Sequence, residues 1–421
     1  MAKILLLVFL FVGFLAYSQI PAIQTKKDTV STIKEEKAHP LSTGYFPIGF
    51  FDIDLKTLVK YNHHEGVRLG VGGLTNDRLF EKYKFGGYIA YGFIDAETKY
   101  SLSASARINK EKLTWVKMAY TNDIKEIGAF DFLTDARVYS LFEPRSINII
   151  QFYKYEEWYG NLSSQLSSKL LSEFRISHSR IENIENYYFI DDDKLYDKYR
   201  LSEASISFRY SPKTAFFTNE DGTKEYFDGL PKISAQITQG IKGIAKGDFT
   251  YTKFGIKLDY YIKRKNLTST SFILEGLLAT GDVPLTHLFH SYPNQPNKLV
   301  WTGRFSVAGV QSFETMYFGE FFSDKLAMIQ IKHNLRRFKF TEKWKPELAI
   351  TTRHAIGTMS NPQQHFGIPF DTLDHLYNES GLELNKIILG FGLSFAYRYG
   401  YFNLPGFERN MSFKFTFNLK L

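Results

Sequence analysis

From Asp54 onward, apolar and polar side chains return again and again with a period of two. Tyr83, Phe85, Ile89, Tyr91 and Phe93 fall on one face, with Lys84, Gly86, Tyr88, Ala90 and Gly92 on the other. Lys99, Ser101, Ser103, Ser105 and Arg107 oppose Tyr100, Leu102, Ala104 and Ala106. Phe254, Ile256, Leu258, Tyr260 and Ile262 oppose Lys253, Gly255, Lys257, Asp259 and Lys263. Successive side chains of a strand point to opposite faces, so each stretch is a ribbon with one oily and one wet side. The recurrence along the chain carries the argument, more than any single ribbon.

The last stretch is the plainest. Phe413, Phe415, Phe417, Leu419 and Leu421 alternate with Ser412, Lys414, Thr416, Asn418 and Lys420. An edge this apolar, left open in water, would invite aggregation. It makes sense as the closing strand of a transmembrane β-barrel, with its apolar face in lipid and its edge paired to the first strand.

The pattern predicts an all-β fold, with antiparallel strands at 54–61, 66–75, 83–93, 97–107, 112–120, 147–160, 168–182, 200–211, 232–241, 249–262, 267–281, 325–336, 344–353, 379–386, 388–401 and 410–421. That is about sixteen, an even number, as single-chain bacterial barrels have. With both termini periplasmic, the outside loops are 62–65, 94–96, 121–146, 183–199, 242–248, 282–324, 354–378 and 402–409. One long segment, 212–231, falls on the periplasmic side. Its Asp221-Gly222 pair marks a hairpin turn, so it is either an extended hairpin or a register error of one strand. The longest loop, 282–324, carries an alternating run from Phe305 to Phe318. It either folds into the lumen as a plug or adds a hairpin, giving eighteen strands.

Composition sharpens this picture. Aromatic residues make up 17% of the chain, including 39 Phe and 27 Tyr, which suits outward apolar bands and interfacial girdles. Cysteine is absent, which excludes disulfides and thiolate metal sites. The net charge is +8, but the basic residues are spread through the strands, so nucleic acid is not an expected partner. Residues 1–18 read as a cleaved secretory signal: Lys3, the apolar stretch Ile4 to Leu15, then Ala16-Tyr17-Ser18. Residues 19–47 are polar and read as a disordered periplasmic tether, and 48–421 as the barrel. Past the signal, no run of 18 apolar residues occurs, so no spanning helix is expected. A secreted β-sandwich is the alternative, but its strands would be shorter and less aromatic outside.

Two tracts carry a resemblance. One is His64-Glu65-Gly66-Val67-Arg68-Leu69-Gly70-Val71-Gly72-Gly73-Leu74-Thr75-Asn76, followed by Phe85-Gly86-Gly87-Tyr88-Ile89-Ala90-Tyr91-Gly92-Phe93. The other is Gly319-Glu320-Phe321-Phe322-Ser323-Asp324-Lys325. Together they resemble a barrel family of unknown function from the outer membranes of Bacteroidetes, Gram-negative bacteria. Its members usually follow a carboxypeptidase-regulatory-like periplasmic domain. That family is similar to the BamA/TamA-type surface-antigen barrels, which have sixteen strands. The resemblance covers about residues 46–421. Two features depart from it: neither a regulatory-like domain nor POTRA repeats precede the barrel. The Val-Arg-Gly-Phe motif that braces the long loop in BamA-type barrels has only a loose counterpart, Thr302-Gly303-Arg304-Phe305. The resemblance thus implies the fold, and a protein-insertion activity much less.

Candidate chemistry is sparse. Asp191-Asp192-Asp193 lacks the ligand spacing of a calcium loop. His63-His64-Glu65 and the His287/His290 pair have no completed metal set. No Gly-x-Ser-x-Gly elbow occurs. No catalytic, cofactor or metal residue is assigned. The inward face says more. By parity, Arg68, Lys99, Arg107, Arg209, Lys232, Lys253, Lys257, Lys263, Lys345, Arg353, Arg398, Lys414 and Lys420 face the lumen, opposed by Glu203, Asp259, Glu275 and Glu347. This excess predicts an anion-preferring wall, unless plug-loop carboxylates such as Glu314, Glu320 and Asp324 neutralise it. Glu320, Phe321, Ser323 and Asp324 mark the end of that loop. The expected function is a non-enzymatic outer-membrane barrel, in contact with lipid and with other envelope proteins, acting in envelope assembly or within a larger complex. A passive anion-preferring channel is the alternative, and a rim hydrolase the third reading.

Overall fold

The structure, a computed structural model, describes residues 44–135, 144–218, 224–264, 268–296, 306–338, 341, 345–388 and 390–417. The signal segment, most of the tether, Arg304, Leu419, Lys420 and Leu421 lie outside them. One sheet of eighteen segments dominates. Two segments, Phe51–Asp54 and Val59–Asn62, both pair with Gly66–Thr75 and so fill one position. They are interrupted by the turn Leu55–Thr57, where Asp54 accepts from the Lys56 N–H at 3.1 Å. We label this broken strand β1.

The strands that follow are β2 (Gly66–Thr75), β3 (Tyr83–Gly92), β4 (Thr98–Asn109), β5 (Thr114–Glu126), β6 (Phe152–Ser167), β7 (Leu170–Asn183) and β8 (Lys198–Tyr210). Then come β9 (Lys232–Gly240), β10 (Tyr251–Lys263), β11 (Ser269–Gly281), β12 (Lys325–Asn334), β13 (Glu347–Thr358), β14 (Tyr377–Ile388), β15 (Phe391–Gly400) and β16 (Met411–Phe417). Each pairs antiparallel with its neighbour in sequence. The remaining segment, Tyr45–Ile48, pairs with Phe51–Asp54 and carries the end of the expected tether into the sheet. The expected sixteen positions are all present.

Long connections gather at one end, as the sequence predicts. The segment between β8 and β9 is the exception, and it is an extended hairpin: Ala215–Thr218 pairs with Lys224–Phe227. No register slip is involved. Among its described residues, the loop 282–324 adds no hairpin to the sheet. Instead it forms a short parallel pair, Pro293–Gln295 with Phe313–Tyr317. Strand β5 runs past its expected end at 120 to Glu126, and β6, expected over 147–160, spans Phe152–Ser167. Above the bilayer neither face must be apolar, so Asn122 and Asp123 stay in register with Glu156 and Tyr155 without hydrophobic alternation.

The two faces separate cleanly. Leu102, Met118, Trp158, Ile176, Ile256 and Phe413 are exposed on the outside, as lipid-facing residues of a barrel are. The buried apolar core lies among the loops rather than between sheet layers. Phe130 and Phe132 from one loop meet Leu285, Phe289, Phe313 and Phe322 from another, with Phe189, Phe249 and Phe402 around them. Gly73 and Gly87 face each other across β2 and β3. A Cβ on Gly87 would sit 2.3 Å from the Ser101 carbonyl, and one on Gly73 would sit 2.4 Å from that of Asp52. These glycines allow the backbones to close up where the wall curves.

Candidate functional site

Among the described residues, charged side chains converge in number on the lumen, so its wall is the site to build. Arg68 rises from β2, and its guanidinium meets Asp123 of β5 bidentately, at 2.6 and 2.9 Å. It also reaches Glu65 at 3.3 Å. Lys99 of β4 lies 3.2 Å from Glu65 and contacts Asp95. Tyr88 donates to Asp123 from the strand between. Fork-on-fork pairs of this kind fix geometry as well as charge.

The other predicted bases find carboxylates too. Arg107 pairs with Glu81 at 2.8 Å near the short-turn end. Arg209 pairs with Asp228 at 2.8 Å, and Lys253 with Glu203 at 3.2 Å. Lys257 meets Asp135 at 3.1 Å, and Lys232 lies 3.2 Å from Asp259. Arg353 meets Glu379 at 2.7 Å, and Arg398 meets Glu320 at 2.7 Å. Lys414 meets Glu314 at 2.8 Å. Two expected bases, Lys263 in the last position of β10 and Lys345 ahead of β13, are exposed.

The other bases named above are thus each matched by a carboxylate. Parity had counted four opposing carboxylates. Asp123 also turns inward, past the expected end of its strand at 120, and so do Glu379 and Glu383, which lie within the expected strand 379–386 but were not counted. Loops supply the rest through Asp135, Glu314 and Glu320.

Two loops fill the lumen. The long loop is clasped to the wall through Glu379 of β14, which accepts from the Glu314 and Thr315 N–H groups at 3.0 and 2.6 Å. Its terminal motif is fully used. Glu320 holds Arg398 and accepts from the Tyr317 N–H at 3.0 Å. Phe321 packs edge-on against Phe402, with ring centres 4.9 Å apart. Ser323 exchanges backbone bonds with Phe289, at 2.9 and 3.2 Å. Asp324 accepts from the Ser360 N–H at 2.8 Å.

The second filling loop, between β5 and β6, escaped the sequence reading. Asp135 on it also accepts from Ser234 at 3.1 Å, and the Leu133 N–H donates to Gln236 at 2.8 Å. Arg145 further along pairs with Glu126, which also holds His290 at 2.9 Å. The signal was available: Phe130-Asp131-Phe132-Leu133 is too apolar for a solvated outside loop. Between this loop and strands β6 to β10 a polar cavity of about 250 Å³ remains, lined by Glu157, Arg175, Ser179, Glu203, Lys253 and His287.

The closing strand departs from expectation at its edge. Phe413 and Phe415 face outward, as predicted. Among the described residues, however, β16 has no ladder to β1. Its edge pairs with the long loop at Phe415. Phe417 is the last residue of β16. Asp191 to Asp193 form the tight turn of a small hairpin, Tyr188–Asp191 with Lys194–Tyr196. His287 and His365 sit in the buried cap. Burial pushes their imidazoles down, to about 3 and about 4, with nearby Lys253 adding to the effect at His287.

Residues 49–276 match the C-terminal domain of DUF5686, a family of unknown function. The chain belongs to this family. The match runs from β1 into β11 and includes the Arg68 cluster. No curated protein matches the chain. Among solved structures, BamA from Haemophilus ducreyi lacking POTRA domains 1-3 is similar at a TM-score of 0.52 and 13% identity, over 85% of this chain and 68% of that one. CdiB from Acinetobacter baumannii gives a TM-score of 0.42 at 8% identity, over 84% and 57% of the respective chains. The likeness to BamA is one of fold. This chain thus shares a barrel fold with BamA, and its own loops pack against the inward face of the sheet.

Proposed function

We propose that this chain is a non-enzymatic barrel of the outer membrane that is plugged by its own loops. On this reading it acts in envelope assembly, as part of a larger complex with lipid and protein partners, and does not pass solutes by itself. One observation carries the reading. Apart from the exposed Lys263 and Lys345, every predicted lumen base among the described residues is paired with a carboxylate, and the loops above close over a shared apolar core. A wall whose charges are spent on its own loops has none left to select ions. No cofactor or catalytic residue enters the proposal.

The test is single-channel conductance of the refolded full chain in a planar bilayer under a salt gradient. The intact chain is expected to stay silent, and a variant with 282–324 replaced by a short turn to conduct. Large, steady, anion-selective steps from the intact chain would overturn the proposal in favour of a channel. With the silent chain in hand, co-purification from membranes identifies the partner.

A further inference from the structure

Strand β16 has two faces and one free edge, and the long loop occupies both the lumen face and the edge. On the lumen face, the Lys414 ammonium donates to the Glu314 carboxylate at 2.8 Å and to the Glu314 carbonyl at 2.9 Å. Ser412 donates to Gln295 at 3.0 Å. On the edge, the Phe415 N–H donates to the Ser306 carbonyl at 3.1 Å, and the Ala308 N–H donates to the Phe415 carbonyl at 2.8 Å. Residues 306–308 therefore run parallel to β16 as a short extra strand. Their side chains follow the pleat of the wall. Ser306 and Ala308 are buried inward, Val307 stands beside outward-facing Phe415, and Val310 beyond them is 84% exposed.

A strand edge offers one row of backbone donors and acceptors, and it can serve one neighbour at a time. The row on β16 is the one that a ladder to β1 would need. Among the described residues that ladder is absent, and the facing edge of β1 carries Tyr45–Ile48 along Phe51–Asp54. We infer that plug and seam are coupled: the docked loop holds the barrel split by occupying the edge of β16, and the loop's withdrawal frees that edge to zip onto the Val59–Asn62 half of β1, beyond the stretch that Tyr45–Ile48 covers. Filled lumen with split wall, and emptied lumen with closed wall, are then the two states of one switch. The inference rests on the plugged-lumen reading for the state of the interior. The seam contact is read from the backbone alone and can fail separately.

The chain has no native cysteine, so disulfide trapping is clean. Paired strands lie about 4.8 Å apart, within the Cα spacing a disulfide accepts. The full-length variants V307C/F415C and V59C/F415C would be oxidised in outer-membrane fractions and read by gel mobility. The expected result is a dominant 307–415 crosslink and little crosslinking to β1. Ala308→Pro removes the donor to Phe415. In that background, or with 282–324 replaced, the crosslink from β1 should become the major species. A dominant crosslink from β1 in the intact chain, with conductance still silent, would overturn the coupling and leave the plugged lumen standing. No crosslink from either pair would also overturn it, provided the variants keep their heat-modifiable mobility. Conduction by chains crosslinked at 307–415 would overturn both readings.

Discussion

The Lys414 ammonium lies 2.8 Å from the Glu314 carboxylate, and both side chains are 1% exposed. One buried pair thus joins the last strand of the wall to the loop that fills it. Removing one partner leaves the other charged and dry, at a cost of roughly 3–5 kcal/mol. Lys414→Met is expected to loosen the long loop, seen as faster proteolysis within 282–324 and a lower unfolding temperature. Combining it with Glu314→Leu should recover most of the loss. A double variant as unstable as the single one would show that the pair itself does not hold the loop.

Asp135 serves Lys257 and Ser234 at once, with Lys232 3.8 Å away. In a chain with 282–324 replaced, Asp135→Asn should shift the reversal potential toward anions, because Lys257 loses its paired carboxylate while Lys232 keeps only Asp259. An unchanged reversal potential would mean that this loop leaves the wall together with the long one.

His287 and His365 supply a pH dependence whose sign is fixed. Their folded pKa values, about 3 and about 4, lie below the ordinary 6.5. Below pH 6.5 the undocked loops bind protons that the docked cap refuses. The cap is therefore fully stable above that pH and loses stability as pH falls from 6.5 toward 4 and then 3. At pH 5 the loss is at most about 2 kcal/mol per imidazole. Hydrogen exchange of 285–290 and 365–370 should speed up at pH 5 relative to pH 7.5, and His365→Gln should weaken that response.

The outward face tests the membrane reading. A lysine on the lipid face near the bilayer centre costs about 2–4 kcal/mol in a barrel of this kind. Ile256→Lys should lower the amount of protein reaching the outer membrane, whereas Ile256→Leu should not. Gly87→Val forces a Cβ onto the Ser101 carbonyl, so it should cost about 1–3 kcal/mol and reduce the yield of heat-modifiable barrel.

Most of the wall was legible in the sequence, because lipid on one side and water on the other impose a period of two. The β2 bounds, Gly66–Thr75, match the pattern to the residue. Legibility fades where that constraint ends. Above the bilayer β5 continues through Asn122 and Asp123, whose alternation carries no hydrophobic signal, and Asp123 proves to be the partner of Arg68. The partners of the bases were hidden for another reason. Arg353 and Glu379 lie on neighbouring strands but are 26 residues apart, and Lys257 and Asp135 are 122 apart. The first pairing is set by strand register and the second by how a loop folds inward, and a one-sequence pattern encodes neither. The edge of β16 is the sharpest case. Its alternation shows an apolar outer face, yet nothing in the alternation distinguishes a β1 neighbour from residues 306–308.

The clasp between Lys414 and Glu314 spans 100 residues of chain, and that between Asn148 and Asn294 spans 146, whereas successive wall strands are mostly joined by short connections. Closing a long loop costs entropy that local contacts do not incur, so local pairings form first and distant ones follow. Hairpins can therefore assemble in order along the chain, while the last clasp on the filling loop waits for the final strand to emerge. A chain halted before Met411 would hold a nearly complete curved sheet around a loop gripped by Glu379 and Arg398 but missing its buried lysine.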